Sequence, residues 1–162
     1  MAPDERKRLI DQYAAGPVRL AAAFAAVPDP AKQWRPSPTV WSAHEVVCHC
    51  ADSESNASLR IRYLVVERDP LILGYDQDAW ARVLDYHARP VDTALATVVA
   101  VRANTVPLLR ALPDEAWGKR GRHTESGPYG AEDWLRIYAE HLELHARQIE
   151  QNLATWQARS SS

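Results

Sequence analysis

The chain has 162 residues, a formal net charge of −2 at pH 7 and a sequence pI near 6.3. A chain of this length can bury a sizeable core, so we expect residues 1–162 to form a single domain. The small net charge supplies no broad cationic field, and the arginines are scattered among acidic residues. Composition therefore argues against a nucleic-acid-binding protein.

The N-terminal stretch "MAPDERKRLIDQY" lacks the apolar core of a signal peptide, and no uninterrupted run of about 18 apolar residues occurs. We therefore expect a cytoplasmic protein without a membrane partner. The two cysteines, Cys48 and Cys50, would point in different directions on a helix. They are predicted to be small packed thiols, without a disulfide bond or a shared metal.

Helical patterns dominate the chain, because apolar residues recur every three or four positions and Ala, Leu, Arg and Glu are common. The sequence predicts an all-α protein. Its first helix should begin after Pro3 with Asp4 as the cap, run toward Val27, and be interrupted at Gly16 and Pro17. The segment "PDPAKQWRPSP" contains four prolines and predicts a loop.

The second helix has the clearest start signal. Ser42 followed three residues later by Glu45 is the capping-box pattern, and the helix should continue to about Glu67 before "RDP". A shorter helix is predicted from about Asp76 to His87.

The third helix is predicted from about Pro90 to Leu112, with a bend at Pro107. After the loop "GKRGRHTESGPYG", the fourth helix should run from about Ala131 to Trp156, and the terminal serines 160–162 should be a frayed end. Four long helices and one short helix predict a four-helix bundle, a fold that builds ligand and metal sites in its core.

Two histidines one turn apart, His141 and His145, project to the centre of a predicted buried stripe on the fourth helix. This stripe comprises Trp134, Ile137, Tyr138, His141, Leu144, His145, Gln148, Ile149 and Asn152. At this spacing two imidazoles can converge on one point. A histidine pair of this kind is also common in ordinary helices, so the spacing alone leaves a packed pair as the alternative.

The second helix carries a polar strip between two apolar shoulders, which predicts an internal polar cavity. The strip comprises Glu45, His49, Asp52, Ser53, Asn56, Arg60 and Tyr63, and the opposite side, with Glu54, Ser55, Ser58 and Arg62, is predicted to face water. Three buried imidazoles from two facing helices would satisfy their polar atoms by binding a divalent cation with an open coordination position. Of the other histidines, His44 is predicted to be solvated, His87 to lie near a helix C-terminus, and His123 to be an exposed loop residue or to gate a pocket.

Several segments resemble one known family. "WSAHEVVCHCADSE" is similar to the signature of the DinB/YfiT-like superfamily, in which a metal-binding histidine follows the capping acid by four residues, and "EDWLRIYAEHLELHARQI" resembles its closing segment. The resemblance covers about Trp41 to Trp156. It implies a four-helix bundle of unusual connectivity, a divalent metal, usually zinc or nickel, held by His49, His141 and His145, and a homodimer.

The resemblance also implies chemistry, because some members of this superfamily are thiol-dependent enzymes. The first functional hypothesis is a metal-dependent S-transferase that joins a low-molecular-weight thiol to a small electrophile, since a cation held by neutral imidazoles can bind a thiolate. The second is a metal-dependent hydrolase that uses a bound water, with Glu45 or Asp52 as general base. The third is a non-catalytic metal- or ligand-binding protein. Candidate pocket residues are Asn56, Arg60, Tyr63 and Tyr138, by projection alone.

Overall fold

Four long helices form the frame of the protein. The computed structural model describes residues 1–159, so the predicted frayed end at residues 160–162 lies outside the described residues. The elements in chain order are α1 (Pro3–Ala25), α2 (Asp29–Lys32), α3 (Ala43–Val66), β1 (Leu71–Ile72), α4 (Gln77–Val83), a 3₁₀ turn (Tyr86–Ala88), α5 (Val91–Ala111), α6 (Asp114–Trp117), β2 (Arg120–His123), β3 (Gly127–Gly130) and α7 (Ala131–Arg159).

Helix α1 is continuous through Pro17, so the predicted interruption at Gly16 and Pro17 is wrong. Pro17 has no N–H to donate to the carbonyl of Tyr13, four residues earlier. Arg102 of α5 replaces the missing donor, because its Nη1 lies 2.5 Å from that carbonyl oxygen. The helix also begins two residues earlier than a cap at Asp4 would give, since Ala2 is the N-cap residue.

Helix α3 begins as predicted. The Ser42 hydroxyl accepts a hydrogen bond from the Glu45 N–H at 3.2 Å, and the Glu45 carboxylate accepts one from the Ser42 N–H at 2.9 Å. This reciprocal pair satisfies two of the N–H groups that a helix start leaves free. It fixes the rotation of α3 from its first turn, and with it the direction of His49.

The predicted helix from Asp76 to His87 is shorter than expected. Asp76 caps α4 by accepting a hydrogen bond from the Ala79 N–H, but the helix ends at Val83. Asp85 has a left-handed backbone with φ of 44°, which no helix interior allows, and the 3₁₀ turn follows directly. The turn buries Tyr86 against α3.

A small three-stranded sheet was missed by the sequence analysis. Strands β2 and β3 pair antiparallel within the segment predicted as a loop, and β1 pairs parallel with β2. Gly127 makes the tight turn with φ of 77°, a conformation that side chains disfavour. The two single-turn helices α2 and α6 were also not predicted. The fold is still mostly helical, because each strand has at most four residues.

The core is built where α1 packs along α7 and α3 packs along α5. Trp134 of α7 is fully buried between the rings of Tyr13 and Tyr138, and its indole N–H donates to the Ala57 carbonyl at 2.9 Å. These contacts tie α1, α3 and α7 together next to the three predicted ligands.

Helix α5 matches its predicted range closely and continues through Pro107. By length and composition it could cross a membrane, since its most apolar window of 18 residues has a mean hydropathy of 1.2. A core helix passes the same test, and α5 packs against both α1 and α3. Its inward face carries the buried Arg102, which is ion-paired to α3.

Candidate metal centre

The structure brings the three predicted ligands together. His49 comes from α3 and His141 and His145 from α7, and one ring nitrogen of each lies within 4.8 Å of the others. A tetrahedral cation with bonds of about 2.0 to 2.1 Å would need nitrogens about 3.4 Å apart. Side-chain rotation would have to bring the nitrogens closer before all three could bind one cation. The role of these residues as ligands stays a prediction, but the required proximity is present.

The three rings meet edge to face. Their centroids are separated by 5.6 Å for His49 and His141, 4.8 Å for His49 and His145, and 4.6 Å for the pair on α7. The indole of Trp41 packs on the His49 ring with a centroid distance of 4.8 Å. The Nδ1 atom of His145 lies 2.9 Å from Oε1 of Gln148. A hydrogen bond donated from that Nδ1 would leave Nε2 of His145 as the acceptor nitrogen.

Burial keeps two of these imidazoles, His49 and His145, uncharged. It lowers the pKa of His49 to about 2, with further lowering from His145 and His141, and it lowers the pKa of His145 to about 4. Both rings are therefore neutral near pH 7, the form that binds metal. His49 is 1% exposed, and its Nδ1 has no hydrogen-bond partner among residues 1–159. An orphaned buried nitrogen beside two other imidazoles fits a metal ligand set.

A carboxylate that the sequence analysis placed in water supports this cluster. Glu54 is 0% exposed, and its Oε1 lies 3.1 Å from Nδ1 of His141. The predicted water-facing side of α3 packs against α5, and this packing buries Glu54. Accepting a hydrogen bond from the Nδ1–H fixes the tautomer of His141 and leaves Nε2 as its acceptor nitrogen, as carboxylates behind metal-bound histidines do.

Arg102 neutralises that buried carboxylate. Its Nε and Nη2 donate to the two oxygens of Glu54 at 2.9 and 2.6 Å, and Nη2 also donates to the Tyr138 carbonyl. Burial alone would raise the pKa of Glu54, but the hydrogen bonds from His141 and Arg102 hold it below its ordinary value. Neither residue was singled out from the sequence. The one available signal was an arginine within an otherwise apolar stretch of α5.

The two carboxylates proposed as general base are engaged elsewhere. Glu45 caps α3 and forms an ion pair with Arg35. Asp52 accepts hydrogen bonds from the Tyr86 hydroxyl at 2.8 Å and from Arg89 at 2.7 Å. Each carboxylate would therefore have to act as general base while it keeps these hydrogen bonds and ion pairs.

The predicted stripe on α7 is displaced from its observed buried face. Ile137 and Leu144 are 52% and 54% exposed, whereas Leu135 and Leu142 are fully buried. His141 and His145 therefore lie at the border of the buried face rather than at its centre, and both are partly exposed. This position gives the cluster a route to solvent.

Two of the four pocket candidates lie beside the cluster. Arg60 and Tyr138 line a cavity of about 220 Å³ together with His141, and the Arg60 guanidinium donates to the Tyr138 hydroxyl at 3.2 Å. Asn56 instead donates to the Asp52 carbonyl of its own helix, and Tyr63 is exposed in a separate groove. A larger cavity of about 500 Å³ borders Trp41 and Glu45 but none of the three histidines.

The remaining histidines have varied environments. His44 is buried, with its Nε2 2.9 Å from the Arg89 carbonyl, so the prediction of a solvated side chain is wrong. His87 lies at the 3₁₀ turn, with its Nε2 2.9 Å from the Ser42 hydroxyl. His123 lies on β2 and lines the smaller cavity.

Comparison with known proteins identifies the family. The family model described as DinB superfamily matches residues 12–149, which is most of the chain. This chain belongs to the DinB superfamily. The resemblance inferred from "WSAHEVVCHCADSE" is thereby confirmed, and the structural match described next confirms the expected bundle.

Relatives and a solved structure agree with this placement. "Putative metal-dependent hydrolase OB0782" of Oceanobacillus iheyensis is 32% identical over 109 residues, and a protein of the same description in Bacillus cereus strain 03BB102 is 30% identical over 109 residues. Each alignment covers 67% of this chain, but only 63% and 62% of the respective relative's length. YfiT from Bacillus subtilis, described as a probable metal-dependent hydrolase with an unusual four-helix bundle topology, superposes with a TM-score of 0.87 at 24% identity, over 94% of this chain and 87% of YfiT.

Proposed function

We propose that this chain is a divalent-metal-dependent hydrolase whose ligands are His49, His141 and His145. The observation that carries the proposal is the convergence of three imidazoles from two sequence-distant segments, at the border of the core and next to a small cavity. Structural zinc sites usually have four protein ligands that include cysteine, whereas a three-histidine set is typical of catalytic sites. Zinc and nickel both suit imidazole ligands.

The protein residues around the cluster have separate tasks in this proposal. Glu54 holds the proton on Nδ1 of His141 and Gln148 engages Nδ1 of His145, so that each ring presents Nε2. A cation held by the three histidines would supply Lewis acidity, which would lower the pKa of a water or thiol at the site. The Ser53 hydroxyl, 3.3 Å from Nε2 of His141, is placed to orient a ligand at the cluster.

The names of the relatives support hydrolysis as the reaction class. The two sequence relatives and YfiT are described as metal-dependent hydrolases. The alignment with each sequence relative covers 67% of this chain. These descriptions apply to those proteins, and we extend them to this chain because its three imidazoles fit the chemistry.

Transfer of a low-molecular-weight thiol to a small electrophile is the second candidate. It is favoured by the pairing of Glu45, Asp52 and Glu54 with Arg35, Arg89 and Arg102, respectively. A hydrolase benefits from a free carboxylate as general base, whereas a thiol that loses its proton to solvent on binding a cation needs none. The third hypothesis, a non-catalytic metal-binding protein, predicts stabilisation by metal without turnover.

Metal content tests the ligand assignment. Protein purified without a histidine tag should contain about one divalent ion per chain by elemental analysis, and His49→Ala and His145→Ala should lose it. His123→Ala is the matched control, because this histidine lies outside the cluster and should leave the content unchanged. Equal metal content in all four proteins would contradict the assignment.

Activity distinguishes the three functions. The metal-loaded protein should hydrolyse members of a panel of small esters and amides, and His145→Ala should abolish turnover. Turnover of a model electrophile only when a thiol is added would replace hydrolysis by thiol transfer. A metal whose removal lowers the melting temperature, with no turnover in either panel, would support the non-catalytic hypothesis.

Three further expectations from the sequence stay proposals: a small-molecule substrate, a homodimer and a cytoplasmic location. Light scattering of the purified chain would test the homodimer directly.

A further inference from the structure

The small cavity beside His141 is lined by several charged and polar side chains. It lies between α3, the segment after β1, the β2–β3 turn and α7, and its walls include Arg60, Tyr75, His123, Glu125, Tyr138 and His141. Its volume of about 220 Å³ is below the range of about 300 to 1,000 Å³ typical of sites for drug-sized ligands. It therefore suits a small molecule, or one end of a larger one, placed directly against a predicted metal ligand.

Arg60 is the arginine that lines this cavity. Its Nη1 donates to the Tyr138 hydroxyl at 3.2 Å and its Nη2 to the Leu73 carbonyl at 2.5 Å. A guanidinium has five N–H donors, so these bonds leave three without a protein acceptor among residues 1–159. Both acceptors are uncharged and hold the side chain in place without cancelling its charge.

The other arginines around the cluster differ in one respect. Arg35, Arg89 and Arg102 each bond to a carboxylate of α3. Arg60 forms no ion pair within the described part of the chain, although Glu125 lines the same cavity. Its guanidinium lies 5.7 Å from the centre of the Tyr75 ring. The ring covers one face of the planar guanidinium and leaves the N–H groups at the edge of the guanidinium for a planar partner.

Further hydrogen-bond donors line the same walls. The Tyr138 hydroxyl accepts from Arg60 and so retains its own proton for another acceptor. His123 accepts the Glu125 N–H at Nδ1 over 3.3 Å, which assigns the ring proton of the neutral form to Nε2. Burial and the charge of Arg60 lower the pKa of His123, in keeping with a neutral ring. A cavity with one unpaired guanidinium and neutral donors selects an acceptor of negative charge.

We propose that this cavity binds the carboxylate of a small organic acid through Arg60, and so directs the remainder of the substrate toward His141. The inference rests on the proposed function, because it names the substrate class of the same site. A carboxylate matches the planar guanidinium fork with two parallel N–H bonds. Glu125 acts against binding, since its carboxylate occupies the same cavity and repels an incoming anion.

Equilibrium binding tests the cavity independently of turnover. Benzoate and its uncharged isostere benzamide would be titrated calorimetrically into the full-length protein, both after chelator treatment and after loading with zinc. We expect benzoate to bind at least about tenfold more tightly than benzamide in both forms, because a charge-assisted pair is lost with the amide. Failure of the metal proposal would leave this preference intact in the chelator-treated protein, so the two failures are distinguishable.

Three variants, two of which have opposite expected effects, exclude a purely structural explanation. Arg60→Met should remove the preference for benzoate, Arg60→Lys should retain part of it, and Glu125→Gln should strengthen benzoate binding. Circular dichroism would verify folding of each variant. Equal affinity for benzoate and benzamide in the wild type, no measurable binding of either probe, or benzoate binding that needs zinc and is unchanged in Arg60→Met would each overturn the proposal.

Discussion

Glu54 and His141 form the link between the buried core and the candidate metal centre. Oε1 of Glu54 lies 3.1 Å from Nδ1 of His141, and Arg102 donates to both oxygens of the same carboxylate. The three side chains come from α3, α7 and α5. The orientation of one predicted ligand is therefore set by packing among three helices rather than by its own helix alone.

Replacing this carboxylate should weaken metal binding. Glu54→Gln removes the negative charge behind His141, which lowers the basicity of the ring and loosens its orientation. We expect zinc affinity to fall about 10- to 100-fold, measured by competition with a chromogenic chelator. Glu140→Gln is the control, because this exposed glutamate precedes His141 and has no hydrogen-bond partner among residues 1–159. Unchanged zinc affinity in a folded Glu54→Gln protein would show that the carboxylate is only structural.

Arg102 should be important for stability through an unusual partner. It donates to the Tyr13 carbonyl, which Pro17 leaves without its helical hydrogen bond. Arg102→Met would strand that carbonyl together with the buried Glu54, and breaking a buried pair typically costs about 3 to 5 kcal/mol of unfolding free energy. Urea denaturation of the metal-free protein would measure the loss.

A second substitution separates the two contributions. Pro17→Ala restores an N–H in reach of the Tyr13 carbonyl, so Arg102→Met should cost about 1 kcal/mol less in that background. An identical cost with proline or alanine at position 17 would mean that the carbonyl contact does not contribute to stability.

The sequence predicted the proximity of the three histidines because their positions follow local helical periodicity. The spacing of His141 and His145 on one helix and the capping box at Ser42 and Glu45 both depend on neighbours within one turn. The position of Glu54 depends on Arg102, 48 residues later, which no periodicity contains. Projection of α3 by itself therefore predicted that the Glu54 side chain faces water, although α5 packs against that side of the helix.

The same limitation explains the errors in secondary structure. Pro17 reads locally as a helix break, and only the donor from a distant helix shows why α1 continues. The β2–β3 hairpin contains glycine, proline and charged residues without alternation, and its strand β2 also pairs with the distant β1. Contacts between residues distant in sequence therefore determine the secondary structure at the positions where local signals gave a wrong prediction.

Glu45 should make stability depend on pH. Although burial alone would raise its pKa, the hydrogen bonds from Arg35 and the Ser42 N–H lower the pKa below its ordinary value. A group with a lowered folded-state pKa stabilises the protein above its unfolded pKa, about 4.3 for glutamate, and loses that contribution as the pH falls through the folded value. Glu45→Gln should therefore be less stable than the wild type by about 1 to 2 kcal/mol at pH 7.

Urea denaturation at pH 7, 5 and 3 would test this dependence. The difference between wild type and Glu45→Gln should be constant at pH 7 and 5 and shrink below about pH 4. Arg35→Gln should show the same trend, because it removes the other half of the ion pair. A difference that does not change with pH would assign the loss to the cap alone.

Gly16 should be required where α1 approaches the buried arginine. A methyl group at this position would lie 2.5 Å from Nη1 of Arg102 and 3.1 Å from Leu142, so the guanidinium that donates to Tyr13 would have to shift. Alanine normally favours a helix by about 1 kcal/mol relative to glycine. Overpacking typically costs about 1 to 3 kcal/mol, and here it also displaces the donor that Tyr13 and Glu54 share. Gly16→Ala should therefore be less stable than the wild type and bind zinc more weakly.

Gly118→Ala provides the matched control for this last substitution. Gly118 has helical backbone angles, with φ of −77°, and a methyl group there would be 3.6 Å from its nearest neighbour, the Glu115 carbonyl oxygen. The same chemical change should therefore leave stability within about 0.5 kcal/mol and zinc affinity unaltered. Thermal unfolding and zinc titration of both variants would separate the close approach at Gly16 from the general effect of replacing a glycine. Equal behaviour of the two variants would show that Arg102 can move without consequence for the cluster.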